Sequence, residues 1–219
     1  MDKVISMPTV YDEQMKQKKR NEILDAAEKV FFSKGYEKAS MNDVAKEAGI
    51  AKGTLYLYFK TKKDLYFAIG NRALDVIVSK FYEIARSDSF KNGLEKVEAL
   101  AHFYFEFSRE HPDYHRFLVN YHAEIVNFGD INPSVIAAYM KSGRIFRLLV
   151  DCVEEGMKDG SIRDDISPIK LAVLLWTKTV GTIEFTRLKE PIFKTFAKIE
   201  AEEIVNEFIK LEKELIRKK

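Results

Sequence analysis

Between Ala51 and Lys63 the chain carries four lysines (Lys52, Lys60, Lys62 and Lys63), no acidic residue, and two tyrosines, Tyr56 and Tyr58, set among them. Ammonium groups neutralise phosphates, and phenols hydrogen-bond in both directions, so this composition suits a nucleic-acid backbone and the base edges beside it. A second basic cluster, Lys16, Lys18, Lys19 and Arg20, lies upstream. It reads as the solvated start of a helix or as a phosphate-contacting arm, and the stretch that follows it favours the arm. His111, His115 and His122 could share one side of a helix, a spacing that invites a metal. No clear acidic or cysteine partner is placed with them, so they read as structural or ligand-polar residues, and neither a metal nor a cofactor is expected. Cys152 is the only cysteine; it reads as a small core residue and excludes an intramolecular disulfide. No Gly-rich phosphate loop, nucleophile elbow or two-carboxylate constellation is visible, so the chain is not expected to be an enzyme.

The elements that must hold the basic stretch are short. Ser40 stands where a helix N-cap should, and Asp43 three residues on completes a capping box. Val44, Ala45 and Ala48 give that helix an apolar face, and Gly49 stops it by taking the left-handed conformation a tight turn needs. The next helix runs from about Lys52 to Phe59. Leu55 and Phe59, one turn apart, face the core and leave Lys52 and Tyr56 toward a flank. Small residues at Gly53 and Thr54 allow its first turn to approach another surface closely. This is a helix-turn-helix pattern. Upstream, Ile23, Ala26, Ala27, Val30 and Phe31 form the apolar stripe of a first helix that Gly35 ends. Downstream, Thr61 and Asp64 form a second capping box, and Leu65, Ile69, Ala73, Val76, Ile77, Phe81 and Ile84 extend one stripe along a long fourth helix.

Arg86 to Gly93 is the first clear break in pattern. Pro112, Pro133 and Pro168 then punctuate the chain, because proline suits the first turn of a helix and disfavours helix in the residue before it. Helices are expected over about 112–128, 133–158, 168–188 and 198–217. The third of these is apolar nearly all round from Leu171 to Trp176, which predicts deep burial. No strand alternation or repeat appears, so the fold class is all-α with about nine helices. The formal net charge is only +2, yet through Leu65 thirteen Lys/Arg face ten Asp/Glu, against twenty-three and twenty-four afterwards. Any basic surface is therefore local to the N-terminal end. No apolar run of membrane-spanning length and no apolar core of a signal peptide is present, so a cytoplasmic chain with no membrane association is expected. Between His102 and Phe185 aromatic residues exceed what one bundle core needs. His102, Phe105, Phe117, Tyr121, Tyr139, Phe146 and Trp176 are the candidates for an apolar pocket with a few polar anchors.

The order and spacing resemble the tetracycline-repressor (TetR) family of DNA-binding regulators. The residues that carry the resemblance are Lys34-Gly35-Tyr36, Ser40, Asp43-Val44-Ala45, Ala48-Gly49-Ile50, Gly53-Thr54-Leu55-Tyr56, Tyr58-Phe59, Lys62 and Asp64-Leu65. It is close over about 21–69 and beyond that extends only to the general helical plan. The resemblance implies DNA contacts from Ser40, Lys52, Gly53, Thr54, Tyr56, Tyr58 and Lys62, while Leu57 departs from the polar or aromatic group that often holds its position. It also implies a homodimer, here through Ile183, Ile204, Phe208, Leu211 and Leu215, that binds double-stranded operator DNA and a small hydrophobic effector. The corresponding division is a DNA-binding domain at 1–63 with its helix-turn-helix at about 41–59, a connector helix at 64–86, and a ligand-binding and dimerisation domain at 87–219. A DNA-binding architectural or partner-regulated protein without an effector is the alternative.

Overall fold

The computed structural model describes the backbone of residues 10–125 and 133–218, and the side chains of 11–119 and 133–218. Among the described residues there are nine α-helices: α1 (Val10–Lys38), α2 (Met41–Glu47), α3 (Lys52–Tyr58), α4 (Lys62–Arg86), α5 (Gly93–Glu110), α6 (Pro112–Ile125), α7 (Pro133–Asp159), α8 (Pro168–Ile192) and α9 (Ala201–Ile216). One isolated antiparallel bridge, Ile162 with Arg217, stands outside them. The chain divides into two compact units, residues 1–72 with 120–138, and residues 73–119 with 139–219. No described helix is long and apolar enough to cross a membrane.

The first unit is built on the apolar stripe of α1, whose Ile23, Ala26, Ala27, Val30 and Phe31 are buried. At Gly35 the backbone leaves the helix (φ 76, ψ 163), a conformation open to glycine without penalty, and it resumes to Lys38. Helix α1 starts at Val10, so Lys16 to Arg20 ride on a helix instead of forming an arm that leads into one. Both capping boxes are formed. The Asp43 amide donates to Ser40 Oγ at 3.2 Å and the Ser40 amide to Asp43 Oδ2 at 3.0 Å; Thr61 and Asp64 exchange the same pair at 3.0 Å each. Phe31, Tyr36, Tyr66 and Phe67 stack in a chain of ring contacts with centroids 4.6–6.1 Å apart.

In the second unit, α5 begins where α7 ends. Asp159 accepts from the Gly93 and Ser161 amides, both at 2.8 Å. Lys96 is buried and its ammonium donates to the Ala85 carbonyl and to both oxygens of Glu155 at 2.8 and 2.9 Å. A buried ammonium needs this full set of acceptors. Cys152 is buried, and burial pushes its thiol up to about 12. Helix α9 buries Val205, Ile209 and Ile216. Its end is fixed by backbone bonds from Arg163 to Ile216 (2.8 Å) and from Lys218 to Ser161 (3.2 Å).

Helix α8 departs from expectation twice. It runs through Pro191 to Ile192 and continues into a π turn, Phe193–Ala197, closed by Lys198 at φ 59. Only one sector is buried: Leu171, Ala172, Leu175, Thr179, Ile183 and Thr186. Val173 and Leu174 of the expected core segment are 44% and 47% exposed, and Phe185 and Leu188 join them on the surface. An all-round apolar helix here has one face for its own chain and a second that its own chain leaves bare.

Candidate nucleic-acid interface

Helix α3 places its residues as its period demands. Leu55 and Phe59 are 0% and 2% exposed, while Lys52 and Gly53 are on the surface and Thr54, Tyr56 and Tyr58 are half-buried on the flanks. The Lys52 ammonium lies 5.9 Å from the Tyr56 ring. An internal clamp holds α3 itself, and others brace the helices around it. The Arg20 guanidinium sits 4.2 Å from the Phe59 ring centroid and donates to the Tyr58 carbonyl at 3.5 Å, clamping the C-terminal end of α3 to α1. Lys34 pairs with Asp43 at 2.7 Å, and this bond, with those from Ser40, holds the Asp43 carboxyl down at about 2. Arg72 of α4 reaches Asp25 at 2.7 Å, Glu28 at 2.9 Å and the Asn21 carbonyl at 3.2 Å.

Two expected DNA contacts have structural duties. The Ser40 hydroxyl, though exposed, donates to Asp43 at 2.7 Å as well as accepting its amide. Lys62 is half-buried; its ammonium lies 4.3 Å from the centre of the Tyr36 ring and donates to the Glu37 carbonyl at 3.2 Å. It ties the start of α4 to the end of α1. An ammonium has three donors, so this leaves capacity for a phosphate but restrains where that phosphate can lie.

The second unit contains a narrow groove of about 550 Å³, counted out to its open mouth, between α5, α8 and α9. Leu94, Val97, Leu100, Ala101 and Tyr104 of α5, Leu175, Trp176 and Thr179 of α8, and Phe208, Ile209 and Ile216 of α9 line it, with Phe81 and Leu149. Polar groups occur at Glu98, Glu212 and Lys213. Lys213 pairs with Glu98 at 2.6 Å, and Glu212 with Lys178 of α8. Of the expected pocket residues whose side chains are described, only Trp176 lines this groove. Its ring stands edge-on to Phe81 at 6.2 Å and 5.1 Å from Tyr104. His102 and Phe105 fall on other sides of α5 than the Val97–Tyr104 face. Phe105 and Phe117 are buried in the packing, His102 and Phe146 are half-buried, and Tyr139 is 40% exposed. The side chains of Tyr121 and His122 lie outside the described residues.

Nor do the described histidines of α5 and α6 gather. His111 is exposed at the end of α5, whereas His115 is fully buried, with Nδ1 3.0 Å from Glu184 Oε1 and 3.2 Å from Arg187 Nη1. Burial and the Arg187 charge push its pKa down to about 4. Among the expected interface residues, Ile183 is 1% exposed and points into its own unit, a correction to its assignment. Ile204 and Phe208 are half-buried, Phe208 in the groove wall, and Leu211 and Leu215 are 63% and 55% exposed.

Residues 23–69 match the profile of bacterial regulatory proteins of the tetR family. The transcriptional repressor KstR2 of Mycolicibacterium smegmatis is 30% identical over 148 residues, covering 68% of this chain and 69% of that protein. The chain belongs to the TetR family. A helix-turn-helix transcriptional regulator of Staphylococcus aureus (strain MRSA252) is 36% identical over 92 residues, 42% of this chain; the match spans about half, 49%, of that relative's length. Among solved structures, the ketosteroid regulator KstR2 of Mycobacterium tuberculosis superposes with a TM-score of 0.67 at 20% identity, over 91% of this chain and 95% of that one. FadR of Bacillus subtilis, solved with stearoyl-CoA, gives 0.67 at 18% identity, over 88% and 96%. At these identities the superpositions establish the fold.

In this TetR-family chain, sequence reasoning missed the residues that clamp α3 and brace α1 against α4. Arg20 was legible only as one of four clustered cations, and nothing in its spacing announces the Phe59 ring 39 positions away. Arg72 sits between Asn71 and Ala73 in α4 and carries no local signal of its partners on α1.

Proposed function

We propose that the protein is a homodimeric transcriptional repressor that holds operator DNA through α3 and lets go when a small hydrophobic effector binds its second unit. The outward presentation of Lys52, Thr54 and Tyr56 on a helix whose C-terminal end Arg20 clamps to α1, and which follows the capped α2 across a tight turn, carries the reading: it is a basic, hydrogen-bonding edge of the size a major groove admits. Lys52 supplies phosphate contact, Thr54 and Tyr56 reach base edges, Gly53 permits close approach, and Tyr58 and Lys62 flank them. The bare face of α8, with Leu174, Phe185 and Leu188, and the exposed Leu211 and Leu215 of α9 support a second copy as the occupant of that surface.

The effector reading rests on the apolar groove under α9. Relatives support its class: the Mycobacterium tuberculosis structure is named for ketosteroid regulation and the Bacillus subtilis FadR structure holds stearoyl-CoA. We assign the effector as a mainly apolar molecule, with DNA binding in 1–63, a connector in 64–86 and effector binding and dimerisation in 87–219, acting in the cytoplasm on double-stranded DNA. Native mass spectrometry of freshly purified protein, followed by fluorescence anisotropy on a duplex selected from a random pool, tests it. The expected result is a dimer whose DNA complex dissociates on adding a long-chain acyl thioester or a steroid. A protein that binds the duplex and is indifferent to every apolar compound would instead be an architectural or partner-regulated member.

A further inference from the structure

We propose that Leu57 reads the C5-methyl group of a thymine in the major groove, an assignment that rests on the DNA-binding reading above. Successive residues of a helix are rotated by about 100°, so with Leu55 and Phe59 turned into the core the outermost stripe of α3 belongs to Gly53 and Leu57, one turn apart. Nothing lies within 4 Å of the place where a Cβ on Gly53 would stand. Leu57 is 73% exposed, the only large apolar side chain so exposed among the described residues from 16 to 75. The helix therefore presents one projecting apolar knob beside a position with no side chain.

Leucine can neither donate nor accept a hydrogen bond, so it has nothing to offer a phosphate or a polar base edge. On the floor of the major groove the apolar feature is the thymine methyl. Contact between the two removes both from water and recovers what the exposed side chain forfeits in the free protein. The neighbours fit this division. Thr54 and Tyr56 lie on either side of the knob with their hydroxyl groups, and Lys52 stands at the start of the helix with its charge. Hydrogen-bonding groups thus flank a central apolar reader, and Gly53 lets the helix sink far enough for Leu57 to reach the base.

The test uses the full chain. A duplex is selected from a random-sequence pool with the wild-type protein, and its thymines are then replaced by deoxyuridine, symmetric positions of the two half-sites together. This removes the methyl and preserves base pairing. Replacement at one position should weaken wild-type binding about fourfold per half-site, the amount that burial of one methyl group implies. Leu57→Ala should bind the thymine and uracil duplexes equally and melt at the wild-type temperature, because the side chain it loses is exposed. Unchanged wild-type affinity for every uracil duplex, or an undiminished methyl effect in Leu57→Ala, would overturn the assignment while leaving the DNA-binding reading intact. A pool from which the wild type enriches nothing would sink both.

Discussion

A methyl group added to Gly93 would stand 2.2 Å from the backbone nitrogen of Gly156 and 2.6 Å from the Cys152 carbonyl oxygen. The first turn of α5 lies directly on the last turns of α7, and both partners at the crossing are backbone. Side chains can rotate away from an intruding methyl, but two helix backbones can only separate.

Gly93→Ala should therefore cost about 2–3 kcal/mol or more by urea denaturation, at the upper end of what overpacking produces. Gly53→Ala is the control. It also sits in a helix, faces open space, and should stabilise the fold by about 0.5–1 kcal/mol while weakening DNA binding, if the added methyl lies on the stripe proposed to face DNA. Equal effects of the two substitutions on stability would show that the crossing yields more easily than its geometry suggests.

Lys52 and Lys62 should separate on substitution. Lys52→Ala should weaken binding to all duplexes alike and reduce the slope of log affinity against log salt by about one, with no change in melting. Lys62→Ala should lower the melting temperature as well, because it removes the contact with the Tyr36 ring and the bond to the Glu37 carbonyl. Tyr56→Ala should reduce discrimination between the selected and a scrambled duplex most. Operator affinity unchanged in Tyr56→Ala would mean that α3 is presented differently from the way its exposed face indicates.

Acid should destabilise the second unit through His115. Its folded pKa, about 4, lies below the unfolded value near 6.5, so between these limits the unfolded chain binds more protons. Stability is then complete above about 6.5 and falls as pH drops toward 4, by up to about 1.4 kcal/mol per pH unit for one such group. Denaturant titrations from pH 7.5 to 4.5 should show this fall in the wild type and a flatter profile in His115→Gln. Carboxylates such as Asp43, held low by Lys34 and Ser40, keep their stabilisation throughout this range and lose it only below about 4, as pH falls toward the folded value of about 2.

Trp176 should report on the groove it lines. It is the only tryptophan in the chain, it is half-buried, and its neighbours are Phe81 and Tyr104. An apolar ligand entering the groove should shift its emission to shorter wavelength. Trp176→Ala should cost about 2–4 kcal/mol, less than a fully enclosed ring, since one side already faces empty space. An emission unaffected by a compound that releases DNA would place the effector elsewhere in the unit.

The helix-turn-helix was legible because its determinants are local. A serine three residues before an aspartate, a glycine at the turn and a leucine–phenylalanine pair one turn apart each act over a handful of residues, and the structure forms every one. Helix α8 was misread because hydrophobicity does not say which surface covers a face. Leu171 and Leu175 are covered by their own chain, while Val173 and Leu174 between them are not, and the letters of all four are interchangeable. The groove failed for a related reason. Counting aromatic residues between His102 and Phe185 locates an apolar region but not the rotation of α5, which turns Tyr104 toward the groove and Phe105 away from it. Long-range clamps such as Arg20 on Phe59 have no periodic signature and needed the fold.

The buried thiol of Cys152 has a practical side. With burial pushing its thiol up to about 12 and its side chain 1% exposed, it should stay protonated and react slowly with alkylating reagents at neutral pH. The chain should therefore react little with thiol reagents as it stands. A cysteine introduced at exposed Lys60 would take up a fluorophore or spin label alone, without a background substitution inside the core. In the proposed dimer, two such labels would turn the distance between the two copies of α3 into something measured directly in solution, with and without DNA.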